Sequence, residues 1–347
     1  MRAWRLSSGY SAPQCFLIMI PILQFILAIV VGFVALCLSA NRLVEVSATL
    51  ASRLGMSLLT IGVTVVAFGT SAPELMVSSV AAFNGAGGIA IGNVVGSNIV
   101  NIGLILALGG LIAPLVAKAR IVYRELPILL VTTVAAAVML MDGVVDLFDG
   151  VIFASAFLAY TIYLLKTSSG QEAEQDVPFL PISTLRAFVE SLVMLVILVL
   201  GSQLLVWGAK GIALAMGVNE LVIGMTLVAF GTSLPELAAV VVSARKGLHD
   251  MAAATVIGSN IFNILAVLGI SGIVGQDLVV DAAALRLDIL VMVVLTVLLV
   301  ALTYSGKVVR NEKQVGQATV WTVSRAKCLL LLLMYLAYVV WQVTNAV

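Results

Sequence analysis

Two glutamates, Glu74 and Glu236, stand in stretches otherwise apolar enough to lie in a membrane. An ionisable side chain at that depth is costly and marks a functional site by default. The sixteen residues from Thr60 to Leu75, TIGVTVVAFGTSAPEL, return 162 positions later as VIGMTLVAFGTSLPEL, Val222 to Leu237, with twelve of the sixteen identical. Thr70, Ser71, Thr232 and Ser233 place hydroxyl oxygens within about one turn of each glutamate. Pro73 and Pro235 lack an N–H, and their rings clash with the carbonyls four residues back, at Gly69 and Gly231. Each helix should therefore break, with backbone oxygens freed near Ala67–Thr70 and Ala229–Thr232. Non-helical backbone survives at membrane depth only when it is buried in protein or lines a wet cavity. A plain proline kink, with the hydroxyls bonded back onto the helix, explains one copy as well, but a kink does not need a carboxylate in both.

The next apolar segment of each half shares a second element, Gly92–Asn101 (GNVVGSNIVN) and Ala254–Asn263 (ATVIGSNIFN). Ser97 and Asn101 are four residues apart and share a helix face, as do Ser259 and Asn263. Gly92 and Gly96 form a small-xxx-small pair, which equally signals close helix packing, and the two readings are compatible. If the halves meet about a two-fold axis in the membrane plane, two carboxylates, two amides, several hydroxyls and freed carbonyls converge. Every ligand in that set is oxygen, which suits a hard cation. Calcium accepts about six to eight oxygens in flexible geometry, backbone carbonyls included. Two glutamates balance one divalent ion or two sodium ions but not both loads together. Cations sharing them must compete, which is the basis of exchange rather than co-transport. Inverted repeats, broken helices and a midplane site form the secondary-transporter pattern.

The elements that must hold these residues are membrane helices. The chain is 62% hydrophobic and 10% charged, with a mean hydropathy of +1.19, which excludes a soluble globular domain. A net charge of +1 gives no reason to expect nucleic acid. Cys15, Cys37 and Cys328 lie far apart without metal-ligand spacing and do not suggest a disulfide framework. The only histidine, His249, sits beside Asp250 in a polar turn. Ten apolar segments stand at about 18–39, 58–82, 88–114, 122–141, 147–166, 186–209, 219–243, 251–274, 284–304 and 327–344. The organisation read from them is a leader over residues 1–17, a first five-helix repeat over 18–166, a cytoplasmic linker over 167–185 and a second repeat over 186–347. The run from Phe16 to Ala40 is too long for the apolar part of a signal peptide and reads as the first span. Ser305 to Lys327 is a second polar connection.

Five spans per repeat is an odd number, so the second copy enters the membrane inverted. Charge placement agrees. With both termini outside, inner connections hold Arg42, Arg53, Lys118, Arg120, Arg124, Lys166, Arg186, Arg245, Lys246, Lys307, Arg310, Lys313, Arg325 and Lys327. The outer side keeps only Arg2, Arg5, Lys210 and Arg286, so the positive-inside rule places the central loop in the cytoplasm. Of the acidic residues, only Glu74 and Glu236 fall well inside spans.

At these residues the chain resembles the calcium:cation antiporter superfamily, and most of all its prokaryotic sodium/calcium exchangers. The resemblance rests on GTSAPE (Gly69–Glu74), GTSLPE (Gly231–Glu236), GNVVGSNIVN (Gly92–Asn101) and GSNIFN (Gly258–Asn263), in the right order across both halves. It implies an all-α polytopic membrane protein of ten transmembrane helices in two inverted five-helix repeats with broken ion-binding helices. Carried over by position, Glu74 and Glu236 are the central ligands shared by calcium and sodium. Thr70, Ser71, Thr232, Ser233 and the carbonyls of Ala67 and Ala229 surround them, and Ser97, Asn101, Ser259 and Asn263 complete the sites. The first and sixth helices slide as a pair across this core. No cofactor is implied beyond the transported ions, and no partner beyond those ions and the lipid bilayer.

The implied function is antiport of calcium against sodium in a bacterial or archaeal cytoplasmic membrane, in the direction of calcium efflux. A calcium/proton or potassium-coupled antiporter of the same superfamily is the nearest alternative. An intramembrane enzyme using Ser71 or Ser233 would lack a histidine or lysine base near mid-span, and a passive channel would not need ligands that hold an ion at a closed, charged centre. Some members carry aspartate where this chain has Asn263, which leaves two core acids rather than three and the sodium stoichiometry open. Residues 167–185 are too short for the cytoplasmic calcium-sensing domain of animal relatives.

Overall fold

The computed structural model describes residues 12–168, 180–216, 229–275, 277–279, 282–312 and 316–345. The first helix, α1 (Ala12–Arg53), continues well past the apolar stretch that predicts it. Its polar extension is held by charge: the Arg42 guanidinium meets the Glu190 carboxylate, and Lys246 Nζ meets Glu45 Oε1 at 2.8 Å. The second apolar segment is two half-helices, α2 (Leu58–Thr70) and α3 (Ala72–Phe83), bent by 46°. Then follow α4 (Gly87–Ile112), α5 (Ile121–Asp142) and α6 (Leu147–Ser168). The second half repeats this order with α7 (Thr184–Ala215), α8 (Ala229–Thr232), α9 (Leu234–Arg245), α10 (His249–Gly275), α11 (Ala282–Tyr304) and α12 (Arg325–Asn345).

Among the described residues, eight helices are long and apolar enough to cross a membrane, and the bent pair α2–α3 makes a ninth. The remaining segment of the sequence reading, 219–243, lies partly outside the described residues and is taken up at Ala229.

Helices α4 and α10 form the centre, and α10 is almost wholly buried. Around them the repeats pack in equivalent ways: α6 lies against the second half of α10, and α12 against the second half of α4. Helices α1 and α7 pack along each other, with Leu36, Leu43, Leu195 and Leu198 buried in the seam. Their backbones nearly touch, since a Cβ on Gly32 would lie 2.6 Å from the Gly201 carbonyl oxygen. Their outer faces, Leu23, Phe33 and Val196 among them, are exposed, as lipid-facing side chains are.

Short strands tie the connections together. β1 (Leu115–Ala117), β4 (Lys307–Glu312) and β5 (Gly316–Val323) make an antiparallel sheet in the order β1-β5-β4, while β2 (Val144–Val145) pairs with β3 (Leu278–Val279). The connection that reads from sequence only as polar, Ser305 to Lys327, is thus mainly a β-hairpin. The run of β-branched and aromatic residues Thr319–Val323 explains it: Val320, Trp321 and Val323 are buried and Thr322 is half-buried.

These pairings have the parity that ten alternating spans require. In the ten-segment reading of the sequence β1 follows the third segment and β5 precedes the tenth, so six segments separate them. In the same reading β2 and β3 lie in the fourth-to-fifth and eighth-to-ninth connections, four segments apart. An even number of crossings returns the chain to the same side, and antiparallel pairing demands the same side. The ion pairs Arg42–Glu190, Lys246–Glu45 and Lys118–Asp250 likewise join residues that the charge pattern assigns to one face.

Candidate ion-binding site

Both motifs break the helix at the serine before the alanine or leucine that precedes proline. Ser71 stands between α2 and α3 at φ −84°, ψ 9°, and Ser233 between α8 and α9 at φ −91°, ψ 7°. These are bridge-region dihedrals, sparsely populated and common where side chains do chemistry. Pro73 and Pro235 fall in the first turn of the following half-helix, where a missing N–H costs nothing. Glu74 and Glu236 come next, still in that first turn, where the positive end of the helix dipole favours a carboxylate.

The backbone oxygens are less free than the sequence suggests. Ala67 O keeps its helical bond from Ser71 N–H at 3.0 Å and takes a second from Thr70 Oγ1 at 3.3 Å. The break falls later than expected because proline deletes the donor to Gly69, not the donor to Ala67. In the second half the oxygen that Pro235 releases, Gly231 O, is taken by Ser202 Oγ of α7 at 2.8 Å. Ala229 opens α8, and the residues before it lie outside the described ones.

The glutamates are wholly buried and held across the repeat boundary. Ser71 Oγ donates to Glu236 Oε1 at 2.8 Å, and Ser233 Oγ donates to Glu74 Oε1 at 3.1 Å. Thr232 stands beside Glu74, Thr70 and Ser259 stand beside Glu236, and the two carboxylates are close enough to repel each other, while Ser259 Oγ is buried without a hydrogen-bond partner. The second oxygen of each, Glu74 Oε2 and Glu236 Oε2, is buried without a hydrogen-bond partner. Among the ion pairs of the described residues none involves either glutamate.

Seven of the sequence-derived residues thus gather in one buried cluster: Glu74, Glu236, Thr70, Ser71, Thr232, Ser233 and Ser259. Asn101 lies on α4, where its Nδ2 donates to Asn260 Oδ1 of α10 at 3.0 Å. Asn263 is wholly buried with both amide atoms unpartnered. Ser97 is buried one turn before Asn101 and, among the described contacts, bonds to neither glutamate. Asn101 and Asn263 each open a π-helical stretch, Asn101–Leu106 and Asn263–Leu268, a widening of the helix often found at functional sites.

The sequence reading did not single out Asn93, Ser78, Ser202, Asn98 or Asn260. Asn93 Nδ2 donates to the Glu74 carbonyl at 3.2 Å and to Ser78 Oγ at 2.9 Å, which clamps α3 to α4 behind the glutamate. Asn93 and Ser78 are replaced by Thr255 and Val240 in the other repeat, so the duplication carries no sign of them. Asn98 and Asn260 lie inside the repeated motif, each one residue after its serine, Ser97 or Ser259. A further buried carboxylate, Glu125, stands apart from the pocket, where Tyr160 OH donates to it at 2.8 Å and Arg120 and Arg124 approach to 3.9 Å.

Among the described residues no three His, Cys, Asp or Glu side chains converge, so the site offers two acids and neutral oxygens. Buried carboxylates with unpartnered oxygens, held by donors from opposite halves of a helical bundle, suit the cation site of a membrane transporter. A family model described as sodium/calcium exchanger protein matches residues 24–166 and 187–344. CaxA of Alkalimonas amylolytica is 39% identical over 298 residues, covering 83% of this chain and 92% of that relative. The sodium/calcium exchanger MaX1 of Methanosarcina acetivorans is 29% identical, covering 90% of this chain and 97% of that relative. A solved structure of the sodium-calcium exchanger NCX_Mj, soaked with 10 mM Na+ and zero Ca2+, superimposes with a TM-score of 0.79 at 31% identity over 92% of this chain and 99% of that one. The chain belongs to the sodium/calcium exchanger family and is a multi-pass membrane cation antiporter.

Proposed function

We propose that this antiporter moves calcium out of the cell against sodium entering it, with Glu74 and Glu236 as the carboxylates that both ions use in turn. The observation that carries the reading is the reciprocal pair of bonds, Ser71 to Glu236 and Ser233 to Glu74, around acids whose remaining oxygens have no partner. Two buried carboxylates without a basic partner need positive charge from elsewhere. A calcium ion supplies it in one step, and two sodium ions supply it in another. Thr70, Thr232, Ser97, Asn101, Ser259 and Asn263, with the carbonyls of Ala67 and Ala229, complete the oxygen shells. Ala67 O serves once the Thr70 hydroxyl turns away from it. The central loop and the basic connections face the cytoplasm, and both termini face outward.

A second reading has protons rather than sodium as the counter-ion, because a proton neutralises a buried carboxylate equally well. Purified protein in liposomes distinguishes them. Calcium movement should follow an imposed sodium gradient and ignore an imposed pH gradient. Movement that follows only the pH gradient overturns the sodium assignment and supports the proton one.

A further inference from the structure

The four asparagines of the repeated motif form two pairs related by the 162-residue offset, Asn98 with Asn260 and Asn101 with Asn263. All four are buried. Only one cross-half bond joins them, from Asn101 Nδ2 to Asn260 Oδ1 at 3.0 Å. Its repeat-related counterpart, between Asn263 and Asn98, is not made, and both amide atoms of each of those residues are unpartnered.

A carboxamide is a two-ended ligand. Its oxygen attracts a cation, while its nitrogen carries two donor hydrogens and repels one. Rotation by half a turn exchanges the ends with almost no change of shape, so something must decide which end the ion meets. At Asn101 the nitrogen is committed to Asn260 Oδ1, and Asn101 Oδ1 is left buried and unpartnered. Turning the Asn101 amide alone would set its oxygen against the Asn260 oxygen, two acceptors face to face; since Asn260 Nδ2 is also buried and unpartnered, the bond survives only if both amides turn together. We infer that Asn260 is a positioning residue: it holds the Asn101 amide so that the oxygen is the end presented to the transported cation. Asn263 has no such support, so the two halves of the site differ in preorganisation although their sequences repeat. The inference rests on the reading of Asn101 as a cation ligand.

The test is a double-mutant cycle read by calcium titration calorimetry on the purified full-length protein. Asn260→Leu keeps the volume and deletes the acceptor, and should weaken calcium binding by about fivefold, the weight of one neutral hydrogen bond. In an Asn101→Leu background the same change should add less than about twofold, because the group it positions is gone. Asn260→Asp keeps an acceptor at the same place and should bind within about twofold of the parent or tighter, which also answers the question if the leucine variant fails to fold. Asn98→Leu, which removes no such bond, should change binding by less than about twofold. Losses that multiply across the cycle, an Asp variant as weak as the Leu variant, or an equal loss from Asn98→Leu each overturn the positioning role alone. A parent protein that binds no calcium overturns the ligand reading of Asn101 and the inference with it.

Discussion

At the scale of single residues, the crossed Ser–Glu bonds make specific demands. Glu74→Gln and Glu236→Gln should each abolish exchange in reconstituted vesicles while the protein still inserts and purifies as a monodisperse species. Retained calcium transport in either variant removes that glutamate from the site. Ser71→Ala and Ser233→Ala should each weaken calcium binding by about tenfold, near 1.4 kcal/mol, since each deletes one hydroxyl held on a buried carboxylate. Equal losses from the two would follow from their equivalent places, and an unchanged affinity in both would show that these hydroxyls only pack. Asn263→Asp adds a third acid and should shift the balance of sodium against calcium without ending binding, as read by competition between the two ions. Much of this residue list was legible because a carboxylate repeated inside an apolar segment has few innocent explanations. Asn93, Ser78 and Ser202 were not legible, since each supports only one repeat and bonds a backbone oxygen on another helix, of Glu74, Ala90 and Gly231 respectively. No spacing rule connects a side chain to a backbone oxygen of another helix, and Gly231 O, the partner of Ser202, becomes available only because Pro235 lacks an N–H.

At the scale of elements, the break in each motif helix follows from proline chemistry, and its position is set by the bond that proline removes. Gly231 shows how such a break is stabilised, with a hydroxyl from a neighbouring helix replacing the lost N–H. Ser202→Ala should leave that carbonyl buried and unpartnered, lowering stability by about 1–3 kcal/mol in thermal unfolding in detergent. No shift in the melting temperature would mean that water or another donor serves there. Packing of α10 on α2 is equally demanding. A Cβ at Gly258 would stand 2.9 Å from Ala67 Cβ and 3.0 Å from Val63 Cα, so Gly258→Ala should cost about 1–3 kcal/mol and disturb the Ala67 backbone at the site. The sequence revealed the broken helices because proline and glycine act locally. It did not reveal the length of α1, since the ion pairs that extend it past Ala40 come from Glu190 and Lys246, far along the chain. The β-hairpin over residues 307–323 ends in a β-branched and aromatic run typical of a strand, but its first strand is mostly polar, and its partner β1 is only three residues long.

At the scale of the whole molecule, the strand and ion-pair parities sort the connections into two sides. With the native cysteines replaced, a single cysteine at Asp142 and one at Lys246, both exposed, should react with an impermeant maleimide from opposite sides of sealed vesicles. Labelling of both from one side contradicts the ten-span alternation. The exchange of serine bonds between repeats has a consequence beyond ion chemistry. Because each acid is steadied by a hydroxyl encoded in the other half of the gene, neither half alone encodes a working pocket. Split at the central linker and produced as separate polypeptides, the halves should be inert singly and regain function only where they find each other in the bilayer.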